Sequence, residues 1–135
     1  MKSGGPNWGM GVVDVRDLAE AHFKAAFTPS AKGRYIVSAH TTDFPSMAKP
    51  LIERYGDAYP FPKKILPKWM VWLIGPILNP TITRKMISNN VNYPWRADNS
   101  KSIRDLGMRY RSLDESMIDF FQQMIEVGIV TPSKK

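Results

Sequence analysis

A chain of 135 residues, 43% of them hydrophobic, has enough apolar material for one core and too little for two comfortable domains. It contains no cysteine, which excludes disulfides, thiolate metal sites and cysteine nucleophiles and agrees with a cytoplasmic setting. The net charge of +7 is unevenly placed: residues 60–112 carry ten Lys/Arg against two Asp/Glu, while 1–59 are nearly balanced and 113–135 are acidic. A middle third of that sign is either a solvated face or a surface for an anionic partner.

The opening "MKSGGPNWGMG" lacks the apolar stretch of roughly 7–15 residues that a secretory signal needs. "GVVDVRDLAEAHFKAAF" begins with a β-branched run, Val12–Val15, predicted as a strand. It passes into helical spacing, with Leu18, Ala21, His22, Ala25 and Ala26 on one face and Asp14 and Asp17 near the N-terminus. Pro29 and Gly33 break the helix, and "RYIVS", Arg34–Ser38, reads as a second strand. Strand, crossover helix and strand make a βαβ unit, which predicts two parallel neighbours.

A second helix is predicted over 44–55, where Phe44, Met47, Ala48, Leu51, Ile52 and Tyr55 keep the 3-4 spacing and Gly56 stops it. Pro50 falls off that apolar face and removes one backbone bond. Residues 57–80 are punctuated by Pro60, Pro62, Pro67, Pro76 and Pro80. Pro67 suits a first helical position, so "PKWMVWLIG" reads as a short apolar helix ending at Gly75-Pro76. The run Trp69–Leu78 is ten residues, against the roughly 20 a bilayer crossing needs, so no transmembrane segment is expected. "ITRKMISNN" reads as a further helix, "YPWRAD" as extended, and "DNSKSIRDLG" as a helix capped by Asp98 and closed at Gly107. Ser112 and Glu115 spell a capping box before a last helix over 113–127, with Leu113, Met117, Phe120, Phe121 and Met124 on one face and Gly128 closing it. The tail "TPSKK" is expected to fray.

Chemistry-bearing groupings are sparse. Ser38, His22 or His40, and Asp43 contain the residue types of an acyl-transfer triad, but no nucleophile-elbow glycines surround the serine, so a strand-end loop is expected. His22, on the apolar face of the first helix, reads as a hydrogen-bonded core histidine. No His or carboxylate pair has metal-ligand spacing, so no metal site is expected.

"VVDVRDLAEAH", "GRYIVSAH" and "DNSKSIRDLGMRYRSLDESMIDFFQQMIEVGIV" resemble, in order and spacing, the C-terminal part of extended short-chain dehydrogenase/reductases. Within them the chain looks most like the dihydroflavonol reductase and aldehyde reductase group of NAD-dependent epimerase/dehydratase-like proteins. The resemblance runs from about Gly11 to Val130. It implies an α/β fold: the last βαβ unit of a Rossmann-like parallel sheet within 1–56, and a small, mainly helical substrate-binding lobe over 57–135. It implies NAD or NADP as cofactor and a small carbonyl or alcohol substrate, with no nucleic-acid partner. A chain opening in such a strand reads as the end of something longer, with self-association expected of the exposed sheet.

What the family uses for chemistry is not spelled here, so no catalytic and no cofactor-binding residue is assigned. Its glycine turn follows a strand and precedes a helix. "GGPNWGMG" has other spacing and a strand after it. The family's catalytic tyrosine and lysine stand four apart on one helix face, where the ammonium lowers the tyrosine's pKa. "YPFPK" puts Tyr59 and Lys63 four apart, but Pro60 and Pro62 deny them a shared helix. By resemblance, the segment before the "VDVRD" strand borders the substrate pocket, which makes Trp8, Met10 and Gly11 candidate substrate-binding residues. Trp69, on the apolar helix, is the fourth. The competing reading is a non-enzymatic basic module that takes an anionic partner or membrane surface through 60–112.

Overall fold

Asp14 decides where the first helix begins. Its side chain accepts from the Arg16 amide at 2.9 Å, so the backbone leaves the extended region there and cannot run on as a strand to Val15. The computed structural model, which describes residues 5–56, 58–61 and 64–132, therefore places a strand earlier than the spacing predicted. In chain order the elements are β1 (Gly5–Pro6), β2 (Gly9–Val12), α1 (Val15–Phe27), β3 (His40–Asp43), α2 (Phe44–Tyr55) and β4 (Ile65–Leu66), followed by α3 (Lys68–Leu78), α4 (Arg84–Asn90), α5 (Ser100–Leu106) and α6 (Leu113–Glu126).

The class is α/β, with six helices among the described residues and a small parallel pair, β1 with β4, consistent with the C-terminal portion of a Rossmann-like fold. The strands predicted as parallel neighbours, Val12–Val15 and Arg34–Ser38, are not what forms. β2 pairs antiparallel with β3, Gly9 opposite Asp43 and Val12 opposite His40. Residues 34–37 alternate in exposure as a strand does, but 34–38 have no ladder partner among the described residues. Tyr35 and Val37 instead pack on a small core of Ala21, Leu106 and Met108.

That core fixes the rotation of α1. Asp17 is fully buried and ion-paired with Arg111, whose amide also donates to it at 2.8 Å. The contact turns Asp17 and Ala21 inward and leaves His22, Ala25 and Ala26 exposed. His22 is thus a surface residue, its Nδ1 donating to the Leu18 carbonyl at 2.8 Å.

A second core joins α2 to α6 through Leu51, Tyr59 and Phe121, with Tyr55, Phe61, Met117 and Ile125 around them. Tyr59 meets Phe121 edge-on, centroids 5.1 Å apart. The tyrosine of "YPFPK" is thus a core aromatic; Pro62 and Lys63 lie outside the described residues. Pro50, expected off the apolar face, is buried, because α2 is covered by β1 and β3 as well as by α6. α3 runs through Gly75-Pro76 to Leu78. A residue before proline is normally pushed out of the helical region by a clash with its own Cβ, and Gly75 has none. α5 closes at Gly107 in the left-handed region, φ 61°. Ser112 caps α6 by accepting from the Glu115 amide at 3.1 Å.

Candidate functional site

Gly9 and Gly11 stand on the same side of β2, and a strand face without side chains is where another segment can approach closely. The segment 93–95 uses that space. A Cβ on Gly9 would lie 2.7 Å from the Tyr93 carbonyl oxygen and 2.8 Å from the Trp95 nitrogen; one on Gly11 would enter the Trp95 ring and come 2.7 Å from Ser38 Oγ. Asn92 turns the chain into this position at φ 65°, with its amide donating to the Asn7 carbonyl at 2.8 Å, and Trp8 bridges antiparallel to Val91. Val91 and Ile87 are wholly buried and anchor the end of α4 beneath.

Between β2, β3 and 92–95 lies a cleft of about 240 Å³, lined among others by Asn7, Gly9, Thr41, Asp43, Tyr93 and Trp95. Asp43 serves α2 at the same time: its Oδ1 accepts from the Ser46 amide at 2.8 Å as the helix cap. On the other side of the α2 N-terminus, sharing Ser46, is a cavity of about 450 Å³. Phe44, Ile52 and Ile65 make it apolar, with Lys49, Glu53 and Lys64 at its wall. The larger has the character of a small-molecule cleft, apolar surface with a few polar groups to orient a ligand, whereas the smaller is lined mostly by polar residues.

Of the sequence candidates, Trp8, Met10 and Gly11 come together on and beside β2, at the back of the smaller cleft rather than in its lining. Trp69 is on α3, 66% exposed, and lines neither cavity. Ser38, His40 and Asp43 are not assembled as a triad: His40 Nε2 donates to the Arg111 carbonyl at 2.7 Å and Asp43 caps α2. The residues the sequence reading missed are Asp43 as a wall of the cleft and Tyr93 to Trp95 as its cover. Two glycines at i and i+2 in a strand were the available signal.

The glycines do not fit a dinucleotide cradle. Such a turn needs free space above it and a helix after it. Here Gly9 and Gly11 are ladder residues covered by 93–95, and Gly5 lies in β1; Gly4 is outside the described residues. Among the described residues no group of three His or carboxylates stands together in a way that could hold a metal.

Arg16 bridges Asp14 at 2.7 Å and Asp119 at 2.9 Å, joining α1 to α6. The Arg16 hydrogen bond holds the Asp14 carboxyl well below the usual carboxylate range, against the opposing effect of burial, and Asp14 raises the Arg16 guanidinium in turn.

No protein-family model matches the chain. It is 28% identical over 120 residues to cinnamoyl-CoA reductase 1 of Arabidopsis thaliana, a match covering 89% of this chain and 29% of that protein. The crystal structure of gox2253 shares its fold, with a TM-score of 0.64 at 19% identity over 90% of this chain and 39% of the other. The chain thus spans less than a third of the curated relative's length, and over nearly all of its own it is similar to part of a reductase.

Proposed function

We propose that this chain is the C-terminal, substrate-side portion of a cytoplasmic NAD(P)-dependent oxidoreductase of the short-chain dehydrogenase/reductase superfamily, acting on a carbonyl or alcohol substrate. The observation that carries the reading is the alignment with a cinnamoyl-CoA reductase along almost the whole chain. In this reading residues 1–56 contribute the end of the nucleotide-binding fold and 57–135 the substrate lobe. Trp8, Met10 and Gly11 back the cleft at β2 without lining it, with Trp69 on the outer helix of the lobe. The nicotinamide cofactor supplies hydride chemistry when bound; it is held by residues other than the glycines of this chain. The chain's own residues position the substrate. The Trp95 ring and Tyr93 present an apolar wall, and Asn7 and Thr41 offer polar atoms opposite it.

Titration of NADH or NADPH against the chain, followed by cofactor fluorescence, is expected to give no saturable change, because the described glycines form no pyrophosphate cradle. Micromolar binding would overturn the portion reading. Amide shift mapping with an aromatic aldehyde is expected to perturb Gly9, Thr42 and Trp95. Perturbations confined to other residues would remove the cleft from the proposal.

A further inference from the structure

Helix α3 is more apolar than α1, α2 or α6, yet it contains no buried residue. One side packs on α4, where Gly75 receives the Ile87 side chain. The rest presents Trp69, Trp72, Leu73, Ile74, Ile77 and Leu78 to the outside, Trp69 and Ile77 at 66% and 75% exposure. A contiguous surface of this kind marks an interaction site. Around it the charge is of one sign. Arg84 lies over the Trp72 ring at 4.8 Å and Lys64 and Lys85 are exposed nearby in sequence, while Lys68, at the first turn of α3, donates to the Ser88 carbonyl at 2.7 Å. From Ala58 to Ala97 there is no Asp or Glu.

We propose that the outer face of α3 docks on an anionic lipid surface, lying in the plane of the interface with its Trp and aliphatic side chains among the acyl chains and the flanking Lys and Arg at the phosphates. This goes beyond the reductase reading and is independent of it. The eleven residues of α3 extend about 16 Å, roughly half a hydrocarbon core, so the helix lies on the membrane rather than through it. No helix among the described residues is long and apolar enough to cross. Tryptophan is the side chain best suited to that boundary, and basic residues beside an apolar stripe provide attraction to anionic headgroups. A second copy of the chain is a poorer occupant, because isologous pairing of this face would bring two Arg84–Lys85 clusters together.

The test is flotation of the purified chain with vesicles of phosphatidylcholine alone or with about 30% phosphatidylserine, at low and high salt. The chain is expected to float with the anionic vesicles and to lose most of that binding at high salt. Leu73→Ser/Ile77→Ser and, separately, Arg84→Glu/Lys85→Glu are each expected to weaken it by about tenfold or more, with helical circular dichroism retained. Phe23→Ser, on the exposed side of α1, is the control and is expected to leave flotation unchanged. Failure to float, equal binding to neutral vesicles at both salts, or equal loss in the Phe23→Ser control would each overturn the proposal. So would a dimer that Leu73→Ser/Ile77→Ser converts to monomer, which would assign the face to a second copy.

Discussion

At Gly9 the nearest neighbours of an added methyl group are main-chain atoms of Tyr93 and Trp95, which cannot rotate away. At Gly11 they are chiefly the far edge of the Trp95 ring, which can. Gly9→Ala is therefore expected to destabilise by about 1–3 kcal/mol and Gly11→Ala by less, read from urea unfolding midpoints. Tyr59 makes the complementary case. Its ring is packed among Tyr55, Phe61 and Phe121, so Tyr59→Phe keeps the contacts and should change stability by less than about 1 kcal/mol, whereas Tyr59→Ala should remove about 3–5 kcal/mol. A phenylalanine variant as damaging as the alanine one would place the weight on the hydroxyl instead. Asp14 sets an acid limit. Because Arg16 makes its carboxyl harder to protonate folded than unfolded, the unfolded chain binds more protons, and stability rises with pH. The contribution is present above the ordinary value of 3.8 and is lost as pH falls below it. Asp14→Asn, which keeps a helix cap, should narrow the stability difference measured between about pH 6 and about pH 3.

Between elements, Arg111 ties to the buried Asp17 and fastens the segment after α5 to the first turn of α1. Arg111→Ala leaves a buried carboxylate without its cation and is expected to destabilise by about 3–5 kcal/mol in thermal or urea unfolding. A loss under about 1 kcal/mol would mean that water replaces the guanidinium. No spacing rule reveals this pair, since an aspartate in a first helical turn reads equally well as a dipole partner in solvent. Elements governed by local rules were legible. α2 and α6 fall within a residue of where apolar spacing, the Ser112–Glu115 box and the glycine stops put them. Elements defined by partners were not. The strand at Arg34–Ser38 has the alternation but no neighbour among the described residues, and that at Val12–Val15 was cut short by a cap. The cleft was half legible, because Gly9 and Gly11 could announce a close approach without saying that Trp95 makes it.

For the molecule as a whole, two small cores and long surface helices give uneven rigidity. Amides of α2 and α6 are expected to exchange slowly, and those of Arg34–Ser38 to exchange within the dead time of a manual experiment, since they have no ladder among the described residues. Phe23 and Phe27 on α1 and Ile36 after it are exposed, and light scattering should show self-association that Ile36→Lys reduces. Strong protection at 34–38 in a monodisperse monomer would contradict both expectations and show that the segment finds a partner within the chain.

The bond between Arg111 and Asp17 joins positions 94 residues apart, and this has a consequence in time. During synthesis at roughly 5–20 residues per second, α1 emerges about 5–20 s before the residue that neutralises its buried carboxylate. Until then Asp17 is held out in water by its own charge, and α1 cannot settle with Ala21 inward. α1 thus docks late, and a nascent chain stalled before Arg111 displays it undocked to whatever waits at the ribosome exit.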